Sequence, residues 1–184
     1  GQQHALSPLF TPSTVAVIGA SSDPDRIGGR VLRFLIESGF KGQLYPVNRS
    51  GANDIQGLQA YASIQDVPGK VDQAIILTPV TGVEAAVRDS IAKGVCCVLV
   101  LTAGFAEIGP EGRALQDKLR DLCRAAGVRM VWPNSLGILN LENRYYATFS
   151  LTKFIEEARG GGGEVGILIH PQIGSLDDVG SPLE

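Results

Sequence analysis

Short uninterrupted apolar runs alternate along this chain with segments in which apolar residues recur at helical spacing. The first run, residues 15–18, has the length of a buried strand and ends at Gly19. A polar segment that contains Gly28 and Gly29 follows, and from Val31 onward the apolar residues are spaced as in a helix. Strand, glycine-rich loop and helix in this order are typical of the start of a doubly wound α/β domain.

The same alternation predicts the other elements of the fold. Strands are expected at residues 14–18, 43–47, 73–77, 96–101 and 129–132, and helices at 29–38, 80–93 and 110–126. Residues 48–57 are expected to form a loop, and the pattern fades after residue 143. Strands and helices at this short spacing indicate a Rossmann-like doubly wound parallel sheet, covered by helices on both faces.

Glycine content marks the expected domain boundary. Residues 6–150 are predicted to form the Rossmann-like domain, and residues 151–164, with four consecutive glycines at 160–163, a flexible linker. An apolar run resumes at 166–169 before a polar end. Residues 165–184 are therefore expected to be the start of a second, truncated domain or a tail.

Composition narrows the function classes. The 184 residues are 44% hydrophobic and 19% charged, with a formal net charge of −3, which argues against a general nucleic-acid-binding surface. No apolar run reaches the length of a membrane span, and residues 1–4 do not resemble a secretory signal. The three cysteines have no CxxC spacing and are expected to be small buried residues. A cytoplasmic protein without a membrane or nucleic-acid partner is predicted.

Ligands of doubly wound sheets bind outside the carboxyl ends of the strands, so the residues after each strand are the candidates. After the first strand, Gly19 and Gly28 would let backbone N–H groups approach a phosphate, and Ser21 and Ser22 add hydroxyls. The alternative is that both glycines only permit a tight connection. No nucleophile paired with a base follows any of the strands, and no catalytic residue is predicted.

A nicotinamide dinucleotide site would need GxGxxG and an acidic residue at the end of the second strand. Neither is present, because that strand ends in Val47, Asn48 and Arg49. A cation there suits a phosphate on the ribose, as in NADP or coenzyme A, by bidentate pairing. Arg49 as a solvated loop residue is the alternative.

Several motifs in a fixed order resemble one known family. They are LFTP at 9–12, VAVIGASSDP at 15–24, GFKG at 39–42, YPVN at 45–48, VD at 71–72, TP at 78–79, TAGFAE at 102–107 and PNSLG at 133–137. Each is weak alone, but together they resemble the N-terminal coenzyme A-binding domain of the NDP-forming acyl-CoA synthetases, the superfamily that includes the succinyl-CoA synthetase α subunit.

The resemblance implies coenzyme A as the ligand and assigns its contacts. Loop 19–22 with Gly28 would hold the phosphates, and Val47, Asn48 and Arg49 would lie beside the adenosine and its 3′-phosphate. The pantetheine path would be lined by Thr78, Pro79, Ala103, Gly104 and Phe105, with Asn134 and Ser135 at the thiol end. The implied cofactor-binding set is Gly19, Ala20, Ser21, Ser22, Gly28, Val47, Asn48, Arg49, Thr78, Pro79, Ala103, Gly104, Phe105, Asn134 and Ser135.

The resemblance also implies a parent enzyme that joins an acid to coenzyme A with ATP, releasing ADP and phosphate. This chain would supply only the coenzyme A or acyl-CoA site and be inactive alone. Its partners would be ligase and ATP-grasp domains or a subunit of the same enzyme, and a homo-oligomer is open. The alternatives are a sensing domain of a protein acetyltransferase, a stand-alone CoA-binding protein, and an NADP- or NAD-binding module.

Overall fold

A computed structural model describes residues 7–131, 137–140, 144–148 and 165–168 of the chain. Its helices are α1 (Ser7–Phe10), α2 (Ile27–Glu37), α3 (Val80–Lys93) and α4 (Pro110–Ala125). Its strands are β1 (Thr14–Ile18), β2 (Gln43–Val47), β3 (Asp54–Ile55), β4 (Leu58–Gln59), β5 (Gln73–Ile76), β6 (Cys97–Val100), β7 (Arg129–Val131), β8 (Gly137–Asn140), β9 (Tyr145–Thr148) and β10 (Val165–Leu168). Single 3₁₀ turns lie at Ile64–Asp66 and Ala106–Ile108.

Five parallel strands form the central sheet, in the order β2-β1-β5-β6-β7. The predicted doubly wound α/β fold is therefore confirmed. The order reverses direction between β1 and β5, because the chain leaves β1 toward β2 and later crosses back to β5. This crossover is the place where open α/β sheets bind their ligands.

Both faces of the central sheet are buried, which explains its uninterrupted apolar runs. In β1, Val15 and Val17 pack on the face covered by α2, whereas Ala16 and Ile18 pack on the face covered by α3 and α4. All four are at most 9% exposed. The five predicted strands and three predicted long helices are confirmed, with ends that differ by one or two residues.

Two regions depart from the sequence prediction. The predicted loop 48–57 is wrong in part, because β3 pairs antiparallel with β4 to form a small hairpin. Where the pattern fades after residue 143, β9 pairs with β8. Strand β10, near the run predicted at 166–169, pairs antiparallel with the other side of β8. The division into domain, linker and second domain stays a prediction.

A buried polar cluster joins the three-stranded sheet to the central one. The hydroxyl of Tyr145 in β9 donates a hydrogen bond to Oε1 of Gln73 in β5. The side-chain amide of Gln73 donates to the carbonyl of Leu9 at 3.1 Å and to Sγ of Cys97 at 3.0 Å. Because Gln73, Tyr145 and Cys97 are fully buried, these bonds offset the cost of placing polar atoms in the core.

Candidate functional site

A cavity of about 730 Å³ opens at the carboxyl ends of the first four strands of the parallel sheet. Its size is that of ordinary small-molecule sites. It lies at the β1–β5 crossover, where the sequence predicts the ligand. Nine of the predicted residues line it, namely Gly19, Ser21, Gly28, Val47, Asn48, Arg49, Thr78, Pro79 and Ala103.

Close packing explains the two glycines of the loop after β1. Gly19 has a positive φ of +87°, and a Cβ there would lie 2.9 Å from the backbone of Leu77 and Thr78. A Cβ on Gly28 would lie only 2.0 Å from the carbonyl oxygen of Gly19. The loop can therefore lie against both β5 and the start of α2 only because these side chains are missing.

The N-terminus of α2 faces this cavity with unpaired donors. Gly29 and Arg30 donate their amides to the carbonyl of Arg26 at 3.1 and 3.0 Å. The amides of Ile27 and Gly28 have no acceptor among the described residues, and no side chain caps the helix. Unpaired amides at the positive end of a helix dipole favour an anion.

Two arginines line the cavity near this helix end. Arg49 follows β2 and makes no ion pair within the described part of the chain, whereas Arg26 lies 3.6 Å from the carboxylate of Asp23 with its side chain 77% exposed. Arg26 was missed from the sequence, because an arginine at the end of a polar loop belongs to no motif. Two cations around one cavity indicate a ligand with more than one anionic group.

Asn48 connects the two loops that carry these groups. Its side-chain amide donates to the carbonyl of Ala20 at 2.7 Å, and its Oδ1 accepts a hydrogen bond from the amide of Ser50 at 2.8 Å. The side chain thus holds the loop after β2 against the loop after β1. This arrangement favours a positioning role for Asn48 beside the ligand.

A buried hydroxyl without a partner marks the opposite wall. Oγ1 of Thr78 is buried and has no hydrogen-bond partner among the described residues, although buried hydroxyls are normally paired. The carbonyl of Thr78 accepts a hydrogen bond from Oγ1 of Thr102 at 2.6 Å. Gly82 in the first turn of α3 keeps space open, since a Cβ there would already lie 3.4 Å from Thr78 Oγ1.

Few ionisable side chains line the described part of the cavity. The titratable side chains in its described lining are Arg26, Arg49 and Asp89, and that lining contains no cysteine or histidine. Burial raises the pKa of the Cys97 thiol to about 12 and that of Cys123 to about 11, and neither residue lines the cavity. No cluster with metal-ligand chemistry occurs within the described ranges.

Four predicted residues lie outside the described lining. Ala20 and Phe105 are completely buried, Phe105 in the core beneath α3 and α4, while Ser22 is exposed. Gly104 takes a φ of +109° and packs against Val80. Asn134 and Ser135 fall outside the described residues.

Other lining residues were missed from the sequence. Thr81 and Gly82 belong to the first turn of α3, whose helical pattern was assigned to packing. Ala62, Ser63 and Ile64 follow the β3–β4 hairpin, which was not predicted. The spatial adjacency of these segments to β1 carried no signal in the sequence.

Residues 13–140 match the protein family described as CoA binding domain. This chain belongs to that family. The match spans more than half of the chain and includes every strand that contributes to the cavity. It identifies the chain as a CoA-binding domain.

Several relatives of this CoA-binding domain are ADP-forming CoA ligases. It is 37% identical over 151 residues to the α subunit of acetate–CoA ligase [ADP-forming] I of Pyrococcus furiosus, and 40% identical over 144 residues to that of ligase II. These alignments cover 80% and 78% of this chain but 33% and 31% of the relatives. The chain thus spans about a third of the length of the curated relatives it matches.

A solved structure shares the fold, at a sequence identity similar to that of these relatives. The dinucleotide forming acetyl-coenzyme A synthetase 1 of Ca. Korarchaeum cryptofilum is 41% identical, with a TM-score of 0.75, over 79% of this chain and 31% of that one. The expected homology to NDP-forming acyl-CoA synthetases is confirmed, and the acetyltransferase-sensor and stand-alone alternatives are not favoured. In the described part of the domain, no helix combines the length and apolarity needed to span a bilayer.

Proposed function

We propose that this domain holds coenzyme A for an NDP-forming acyl-CoA synthetase. The parent enzyme would convert an acid, coenzyme A and ATP to acyl-CoA, ADP and phosphate. The observation that carries the proposal is the cavity itself, which joins unpaired helix amides and two arginines at the β1–β5 crossover. Because this chain spans about a third of the length of its ligase relatives, the domain alone would bind coenzyme A without forming a thioester.

The phosphates of coenzyme A would lie along the loop after β1. Ser21 and Gly28 would offer backbone donors to the pyrophosphate, and Arg26 would supply a cation from the same side. The amide of Gly19 already donates to the carbonyl of Val47 at 2.9 Å, so Gly19 would serve by permitting close approach. Ser22 would contribute through its backbone amide, whereas Ala20 would only shape the loop, because its amide donates to the carbonyl of Val47 and its carbonyl accepts from Asn48. An anion at this point is stabilised by the α2 dipole.

The adenosine end would lie at the end of β2. Val47 would contact the adenosine, Asn48 would hold the adjoining loop, and Arg49 would pair with the 3′-phosphate. This is the contact that would distinguish coenzyme A from dinucleotides that carry no phosphate at this place.

The pantetheine arm would run past the ends of β5 and β6. Thr78 and Pro79 form one wall and Ala103 the other, with Gly104 and buried Phe105 supporting it. The unpaired Thr78 hydroxyl is suited to a pantetheine amide. Asn134 and Ser135 would lie at the thiol end.

The rest of the enzyme would come from ligase and ATP-grasp domains, in the same chain or in another subunit, in the cytoplasm. Residues 6–150 would form the CoA-binding domain, 151–164 a linker and 165–184 the start of the next domain. Limited proteolysis with trypsin should cut after Arg159, beside the glycines at 160–163, and the pairing of β10 with β8 should keep the two pieces together. Sedimentation of the domain would show whether it forms homo-oligomers.

Titration calorimetry tests the proposal. Coenzyme A should bind, removal of its 3′-phosphate should weaken binding, and NADP and NAD should bind more weakly than coenzyme A. The same preparation, given acetate, ATP and Mg²⁺, should form no acyl-CoA. Tighter binding of NADP or NAD than of coenzyme A would overturn the proposed ligand, and thioester formation by the domain alone would overturn its role as a binding module.

A further inference from the structure

The β3–β4 hairpin reaches the loop after β1 through one side chain. Its two-residue turn is Gln56-Gly57, and both residues have positive φ, +53° for Gln56 and +81° for Gly57. Such turns favour Asn-Gly, because most other side chains are strained in the left-handed region. A glutamine kept there at a cost of about 1 kcal/mol calls for a function of its side chain.

That side chain bridges the two ends of the glycine-rich loop. Nε2 of Gln56 donates to the carbonyl of Ser21 at 2.8 Å and to the carbonyl of Gly29 at 2.9 Å. One amide group supplies two hydrogens, so both of its donors are used. The bond to Ser21 is near the start of the loop, and the bond to Gly29 is in the first turn of α2.

The hairpin itself is anchored, so it can act as a support. Ile55 is only 3% exposed and packs in the core beside α2. The amide of Gly57 donates to the Asp54 carboxylate at 3.1 Å, and Ala60 donates to the carbonyl of Asn53 at 2.9 Å. Gln56 does not line the cavity, whereas Ser21, which it holds, does.

We propose that Gln56 is a positioning residue for the phosphate-binding loop. Its bond to Ser21 holds a loop carbonyl oxygen that would repel a phosphate if it turned toward it, and its bond to Gly29 ties that loop to α2, so the loop stays in the form that presents amides. This inference rests on the proposed function, because it assigns the pyrophosphate to that loop. It also makes the hairpin part of the coenzyme A site.

Two variants and a matched control test this role in the same chain. Gln56→Glu keeps the length but cannot donate to the two carbonyls, and Gln56→Gly removes the side chain while relieving the left-handed backbone. The control is Gln59→Glu, which adds the same charge at an exposed position of the same hairpin. Thermal melts establish that each variant is folded.

Amide hydrogen exchange of the ligand-free proteins gives the first readout. Loop 19–29 should exchange faster in both Gln56 variants than in wild type and Gln59→Glu, while the central strands stay equally protected. A role in general stability would instead raise exchange in the central strands. Unchanged exchange in the loop overturns the inference, whether or not coenzyme A binds.

Calorimetry gives the second readout. Coenzyme A affinity should fall about tenfold in both Gln56 variants, the scale of one or two lost hydrogen bonds, and stay within twofold in Gln59→Glu. Wild-type affinity in both Gln56 variants overturns the positioning role but leaves the proposed function intact. Failure of wild type to bind coenzyme A overturns the proposed function, and the exchange data still decide whether Gln56 orders the loop.

Discussion

The carbonyl oxygen of Gly19 lies 2.0 Å from the position that a Cβ on Gly28 would occupy. The loop after β1 and the first turn of α2 are therefore in direct backbone contact. This contact fixes the unpaired helix amides beside the loop. The glycines serve the site by permitting this approach, which also agrees with the tight connection considered from the sequence alone.

Substitution of Gly28 by alanine should separate the loop from the helix. The clash with the Gly19 carbonyl should cost about 1–3 kcal/mol of folding free energy and weaken coenzyme A binding. Gly82→Ala is the control for stability, because its Cβ would meet Thr78 at 3.4 Å and an alanine favours the helix. Chemical denaturation measures the free energy of unfolding of both variants. Equal stability of Gly28→Ala and wild type would contradict the packing argument.

Replacement of Arg49 by alanine should remove the contact to the 3′-phosphate. Coenzyme A binding should weaken by about 1–3 kcal/mol, the scale of a hydrogen bond between charged groups, while dephospho-coenzyme A should bind as before. Arg26→Ala should weaken both ligands, because the pyrophosphate is common to them. If Arg49→Ala weakened both ligands equally, the assignment of Arg49 to the 3′-phosphate would be wrong.

The Thr78 hydroxyl should contribute to binding and not to folding. Thr78→Val keeps the shape and removes a buried hydroxyl that has no described partner, so stability should stay level or rise while coenzyme A affinity falls by about 0.5–1.5 kcal/mol. Thr102→Val loses the 2.6 Å bond to the Thr78 carbonyl and should lower stability. Denaturation and calorimetry on both variants distinguish the two roles; a stability loss in Thr78→Val would show that its hydroxyl is paired.

Alkaline pH should destabilise the fold through Cys97. Burial raises its pKa from 9.0 to about 12, so between these values the unfolded chain loses a proton that the folded chain keeps. The contribution of the protonated thiol to the free energy of unfolding is fully present below pH 9 and is lost as the pH rises toward 12. Denaturation at successive pH values should show this decline, and Cys97→Ala should make it shallower. An identical pH profile for Cys97→Ala would exclude the thiol as its source.

The sequence predicts the frame of the fold well because each central strand is buried on both faces. The runs in β1, β5 and β6 are therefore apolar without interruption, and glycines with positive φ end α3 and follow α2. The β3–β4 hairpin was not predicted because its strands have two residues each and its turn carries Gln56 where asparagine is usual. Pairing of β9 with β8 depends on contacts that no local pattern encodes.

Sequence reasoning found the site residues that lie just beyond a strand end, and it missed most of those that lie on helices and in the hairpin region. Gly19, Arg49 and Thr78 lie one or two residues beyond a strand end, and all three line the cavity. Phe105 also follows a strand, but the chain turns it into the core, where its exposure is 0%. Arg26 lines the cavity from the residue before α2, a position that no sequence motif marks.

The decisive experiment is a crystal structure of this chain soaked with coenzyme A. The pyrophosphate should lie at the amides of Ile27 and Gly28 and the 3′-phosphate at Arg49. Coenzyme A bound elsewhere on the chain, with both of these positions free of it, would show that the cavity at the β1–β5 crossover is not its site.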